Sequence, residues 1–216
     1  MNHLKGKYIS FCGKDKTGKT SLSKMLFDYL ASIGMDVFLV HEPGGSEVGL
    51  KIREAIKTPG ISGKTRMFLY IADRTELAIE IIKAKKQGYT VIGDRCYFDS
   101  LAYQMVDKEV CDYFTYDQLN DLNRKAVNNL IPDYLFYINA NNRTIIERIN
   151  SDKKAGVLEE GWDFFENWDF LEKLDNSFNV VLENYVSTGT IFNTIDTTNT
   201  NKEESFNKLL EYLELK

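Results

Sequence analysis

Apolar positions recur along the chain with two periods that take turns. Five short runs, Tyr8–Cys12, Asp36–Val40, Tyr89–Gly93, Tyr134–Ile138 and Thr190–Ile195, are rich in β-branched and aromatic residues and read as strands. Between them the spacing becomes helical. After the first run Leu22, Met25, Leu26, Tyr29, Leu30 and Ile33 share a face, and Gly34 stands where a helix stop is expected. Further helical patterns cover roughly Gly49–Lys57, Thr65–Lys86, Ser100–Val106, Tyr116–Leu130, Arg143–Asn150, Trp162–Val186 and Glu203–Leu213. Strands that alternate with helices imply parallel crossovers, and near-continuous apolar strand runs imply a sheet covered on both faces. The expectation is an α/β protein: a three-layer α/β/α sandwich around a five-stranded parallel sheet. No repeat, low-complexity tract or linker interrupts the pattern, so residues 1–216 are expected to form a single domain.

Composition narrows this only slightly. A chain of 216 residues, 43% hydrophobic and 12% aromatic, is long enough for a sizeable core. Its net charge of -5 argues against a broad basic face for nucleic acid, while leaving room for a local cluster of cations. Three cysteines, Cys12, Cys96 and Cys111, are few and odd in number, which suits a reducing compartment. The opening MNHLKGKYISFCG has no signal-like apolar run, and no stretch approaches the ~18 apolar residues that span a bilayer. A soluble cytoplasmic protein is expected, without a nucleic-acid or membrane partner.

Chemistry enters at the end of the first strand. Gly13-Lys14-Asp15-Lys16-Thr17-Gly18-Lys19-Thr20 fits G-x-x-x-x-G-K-[ST] between an apolar strand and an amphipathic helix. A phosphate chain needs several N–H groups pointing into one concavity, and a glycine-rich turn permits that approach. The helix that follows adds its positive end. Lys19 would reach the β- and γ-phosphates and Thr20 would hold Mg²⁺; Gly13 through Ser21 form the ATP-binding segment. Glu42-Pro43-Gly44-Gly45 makes a sharp turn after the second strand. Arg53, one turn into the next helix, either aims its fork at a phosphate or lies on an ordinary surface. Arg74, in Ala72-Asp73-Arg74 on an otherwise apolar helix, needs a partner: a substrate base or phosphate, or a structural Asp. Tyr70, one turn earlier, can bracket a flat base with it. Asp94 ends the third strand as the second carboxylate of P-loop enzymes does, organising Mg²⁺. Arg95 beside it would face the transferred phosphoryl group, and Gln104 offers a donor and an acceptor to a pyrimidine edge.

These segments, with Ala102-Tyr103-Gln104, Pro132-Asp133 and Glu147-Arg148, resemble the ordered motif set of the thymidylate kinases from about Lys7 to Val186. The resemblance implies a P-loop kinase that uses Mg²⁺ and ATP to phosphorylate dTMP, working as a homodimer through the face that includes Thr65–Lys86. It further implies Asp15 beside the sugar and phosphate of the acceptor, and Arg53, Arg74 and Arg95 around the acceptor phosphate. Tyr70 would stack on the base, Ser100 and Gln104 would contact thymine, and Tyr103 would disfavour a ribose 2′-hydroxyl. The chain departs from the family at Cys12 (usually Glu), Cys96 (usually Tyr), Asp99 (a small serine-like position) and His41 (commonly Arg).

Phosphoryl transfer to a phosphate acceptor rests on positioning and charge neutralisation rather than on a strong base. Lys19, Arg95 and Lys16 are therefore expected to stabilise charge, and Thr20 and Asp94 to serve Mg²⁺. Residues 152–167 would form a lid over ATP. The competing readings are a kinase for dUMP or another deoxynucleotide, a deoxynucleoside kinase, and a nucleotide switch with no acceptor.

Overall fold

The computed structural model describes residues 2–157, 167–185 and 190–216. A short 3₁₀ turn, Asn2–Leu4, leads into β1 (Tyr8–Cys12). Then come α1 (Lys19–Ser32), β2 (Val37–His41), α2 (Glu47–Ile56), α3 (Gly63–Lys86), β3 (Thr90–Asp94), α4 (Tyr97–Gln104) and α5 (Lys108–Cys111). The remainder is α6 (Tyr116–Ala126), β4 (Tyr134–Asn139), α7 (Asn142–Lys154), α8 (Trp168–Tyr185), β5 (Ile191–Asp196) and α9 (Lys202–Tyr212). The five strands form one sheet in the order β2-β3-β1-β4-β5, with every pair parallel. The α/β sandwich with its five-stranded parallel sheet is therefore present.

Alternation along β1 sorts the layers. Ile9 and Phe11 face Leu22, Leu26 and Leu30 of α1 and Leu209 and Leu210 of α9. Cys12 faces the other way, into a core shared with Leu101 of α4, Leu119 of α6 and Phe178 of α8. Tyr8 and Val91 pack with Leu77 and Ile81 of α3 on that same side. Asp133 anchors the far end of the sheet, accepting from the Tyr8 amide at 2.8 Å, Lys7 at 3.1 Å and Lys85 at 2.6 Å.

Three details differ from the sequence pattern. Double coverage holds for the inner strands, but β2 and β5 are edge strands with partly exposed residues, and the polar Asn193 and Thr194 of β5 reflect this. Strands β2 to β5 each run one residue past their apolar segment, so that Asp94 pairs with Phe11 and His41. Ladder hydrogen bonds, not hydrophobicity, decide where a strand stops. Helix α5 has four residues, too few to show a period, and is started by the Asp107 carboxylate accepting from the Glu109 amide. Residues 158–166 of the expected lid, and 162–166 and 186 of the expected helix around α8, lie outside the described residues.

Candidate active site

The site forms where the loops leaving β1, β3, β4 and β5 meet at the carboxyl edge of the sheet, the usual ligand position in open α/β folds. Gly13 has φ +141°, and a Cβ there would lie 2.2 Å from the Ile138 carbonyl oxygen, so the loop can start only with glycine. Gly18, at φ +106°, precedes α1 with no side-chain cap, leaving the first helical amides to a ligand. Lys19 is buried and turned into the loop, where its Nζ donates to the carbonyl oxygens of Gly13 at 2.8 Å and Lys14 at 2.6 Å. Burial and the Arg95 charge lower its pKa, against the pull of Asp15, Asp99 and Asp94. Thr17 braces the loop by donating to the Lys14 carbonyl at 2.8 Å. Thr20 is exposed at the rim, and Ser21 is half-buried.

The other two loop lysines leave in different directions. Lys16 Nζ meets Asp152 Oδ2 at 2.8 Å at the end of α7. Lys14 is fully buried and turned away from the cleft, with Nζ 2.6 Å from Asn142 Oδ1 and 2.5 Å from Asp175 Oδ1 of α8. Its side chain therefore ties the loop to the helices behind it.

Arg95 follows β3 with φ +79°, an uncommon conformation for a residue with a side chain. Its amide donates to the Phe11 carbonyl at 3.0 Å, and its own carbonyl accepts from Ser10 Oγ at 3.2 Å. The guanidinium is thereby thrown across the phosphate loop, where it pairs with Asp15. Burial pushes the Asp15 carboxyl up, but Arg95 and Lys19 outweigh it and hold the group below the usual range. The Asp15 amide donates to Tyr103 Oη at 3.0 Å, fixing that phenol over the loop. Asp94 Oδ1 is buried without a hydrogen-bond partner, as suits an oxygen that serves a hydrated cation.

On the acceptor side, Arg74 has polar partners within the chain. Its buried guanidinium meets the Glu42 carboxylate at 2.9 Å through Nε, Ser100 Oγ at 2.6 Å through Nη2, and Asn123 Oδ1 through Nη1. Asp73 takes a different job, accepting from the Gly44 amide at 3.0 Å and so fixing the turn after β2. Arg53 is exposed and donates to the Pro43 carbonyl at 3.3 Å. Tyr70 is half-buried; burial raises its pKa, while Arg95 and Arg66 oppose the rise. Gln104 is buried with neither amide atom hydrogen-bonded. Cys12 and Cys96 are buried free thiols pushed up by burial, and His41 is exposed.

A cleft of about 730 Å³ opens over the loop, walled by Arg95 on one side and by Arg148, Thr197 and Asn201 on the other. Arg148 donates to the Lys16 carbonyl at 2.9 Å and to the Thr197 carbonyl at 2.6 Å, while Thr197 Oγ1 donates to the Thr17 carbonyl at 2.8 Å. Sequence reasoning noted Arg148 only within the Glu147-Arg148 match and missed Thr197 and Asn201, although Asp196-Thr197 follows the fifth strand at the edge where ligands bind. It also passed over Asp99 except as a departure; the structure buries that carboxylate against the Gly13 amide at 3.0 Å.

The thymidylate kinase family model matches residues 11–208. A thymidylate kinase of Malacoplasma penetrans is 31% identical over 183 residues, covering 83% of this chain and 84% of the relative. One of Fervidobacterium nodosum is 34% identical over 161 residues, covering 74% and 80% respectively. The fold is shared with the crystal structure of thymidylate kinase from Ehrlichia chaffeensis, with a TM-score of 0.73 and 23% identity over 97% of this chain and 99% of that one. With the phosphate loop, the Asp94-Arg95 turn and the cleft in place, this chain belongs to the thymidylate kinase family.

Proposed function

We propose that the protein transfers the γ-phosphoryl group of ATP to dTMP, yielding ADP and dTDP, within one domain that spans the chain. The observation that carries the choice of acceptor is Gln104, a buried amide with both its donor and its acceptor unused. Such a group costs about 1–3 kcal/mol, which a pyrimidine edge presenting the complementary pair would offset. Ser100 and Arg74, already joined at 2.6 Å, supply a polar wall beside it. Tyr103, fixed by the Asp15 amide, fills the space near the sugar.

ATP lies in the cleft with its phosphates on the amides of Gly13 to Ser21. Lys19 exchanges its loop carbonyls for phosphate oxygens, and Arg95, aimed by β3 and held by Asp15, faces the group in transit. Thr20 and Asp94 would hold Mg²⁺, which supplies charge neutralisation across the β- and γ-phosphates when bound. The half-exposed apolar side chains Phe68 and Ile79 on the outer face of α3 support a homodimer. Among the described residues no helix is long and apolar enough to cross a membrane, and the free thiols suit the cytoplasm.

The test is ADP formation from Mg·ATP across a panel of nucleoside monophosphates. dTMP is expected to give the highest kcat/KM. Faster turnover of CMP or GMP, or ADP formation that ignores the acceptor, overturns the reading.

A further inference from the structure

Asp99 stands on the third residue of α4, where an acidic side chain ordinarily does no more than cap its own helix. Its Oδ2 does lie 3.4 Å from the Cys96 amide, a long bond. Its Oδ1 instead leaves the helix and accepts from the Gly13 amide at 3.0 Å, across 86 residues of sequence. The same residue also presents its carbonyl, in the next peptide unit, which accepts from Lys19 Nζ at 2.8 Å. On its other side Asp99 Oδ1 lies 3.9 Å from Arg95 Nη1. One carboxylate thus touches the start of the phosphate loop, is linked to Lys19 through the one residue Gly13, and faces the arginine assigned to the moving phosphoryl group.

A buried anion next to a site for polyphosphates is unfavourable on two counts, desolvation and repulsion of the incoming charge. Asp99 is 4% exposed, and a neutral side chain at this place would cap α4 without either cost. The groups facing it are Lys19 from α1, Cys12 from β1, Tyr137 from β4, Arg95 and Cys96 from the turn after β3, and Tyr103 from α4. Two of these are permanent or near-permanent cations, and both belong to the transfer machinery.

We propose that Asp99 is a positioning residue for phosphoryl transfer, its carboxylate holding the phosphate loop and the Arg95 guanidinium in one fixed relation. The inference rests on the kinase reading above. Through Gly13 the carboxylate sets the place from which Lys19 departs when phosphates arrive. Through its charge it keeps Arg95 from swinging wholly to Asp15. Burial pushes the Asp99 carboxyl up to about 6, with Lys19 and Arg95 opposing, so the clamp is charged at neutral pH and releases in mild acid.

The test is the pH dependence of kcat and KM for wild type and Asp99→Asn, with Mg·ATP and dTMP. Asp99→Asn is expected to lose ten-fold or more in kcat while KM for ATP is unchanged or lower, because a repelling charge has gone. The wild-type profile should carry an acid limb at or above pH 6 that flattens in the variant; the substrates' own titrations are common to both and cancel in the ratio. A mere cap would move neither the limb nor the kcat-to-KM split. Asp99→Ser, read in the same way, carries the test should Asp99→Asn not fold, and failure of both to fold makes the role structural and overturns the proposal. Wild type without dTMP-dependent ADP formation sinks the kinase reading and this inference together. A competent wild type whose Asp99→Asn keeps kcat within about two-fold and the same acid limb overturns the Asp99 role alone.

Discussion

Lys16 reaches from the phosphate loop to the end of α7, where its Nζ lies 2.8 Å from Asp152 Oδ2. Both side chains keep partial solvent access, 22% and 37%, so the pair is worth little by itself and a phosphate can displace the carboxylate. Lys16→Ala is therefore expected to lower kcat by ~10²-fold or more, as removal of a preorganised charge does. The double change Lys153→Ala with Lys154→Ala, at the end of α7, should cost far less. Steady-state kinetics of the two folded variants decide it, and a larger loss in the double variant reverses the assignment.

Lys19 separates function from stability. Its ammonium is buried and its pKa is lowered by that burial, so it stabilises the fold weakly. Lys19→Ala should lower kcat by orders of magnitude while the thermal unfolding midpoint barely moves. Near-normal turnover by a folded variant would contradict its placement at the phosphates.

Gln104 makes the opposite contrast to an ordinary buried polar residue. Its amide has no partner to lose, so Gln104→Ala should leave stability unchanged or raised. Preference for dTMP over other monophosphates should fall about ten-fold or more, since a lost hydrogen bond of about 1–3 kcal/mol has that effect. Competition assays with paired acceptors, alongside thermal unfolding, check both halves.

The pH dependence of folding reports on Asp99 independently of catalysis. Its carboxyl sits at about 6 in the folded protein and near 3.8 when exposed, so the native state binds the proton more tightly. The contribution to stability is fully present below about pH 4 and is lost as pH rises through 6, amounting to roughly 3 kcal/mol at most. Asp99→Asn should remove this slope. Unfolding in urea at pH 5 and pH 8 is expected to show a smaller stability difference for the variant than for wild type, and an equal difference would contradict the burial argument.

Assembly is tested on the outer face of α3. Phe68 is 52% exposed and Ile79 54%, eleven residues apart and so on nearly the same side of the helix. Sedimentation should show a dimer at micromolar concentration, and Phe68→Asp with Ile79→Asp should shift it to monomer without loss of fold. Only monomer in wild type would refute the interface.

Much of the molecule was legible in advance. The limits of β1 and the phosphate loop follow from a buried strand that stops at a glycine, α1 from a long amphipathic pattern, and α3 from a long helical run apolar on more than one face, because these depend on residues close in sequence. The site was legible as a set of residue types, but its pairings were not. A period says which face of a helix is buried, and a charge that it needs a partner; neither says which distant element supplies it. Only the tertiary structure gave Arg74 to Glu42, 32 residues away, and the Gly13 amide to Asp99. Only it turned Lys14 back into α8 and brought Arg148 and Thr197 to the wall of the cleft. The physical reason is that hydrophobic burial is set locally by composition and spacing, whereas the partner of a buried polar group is whichever one the packing of the layers carries within about 3 Å.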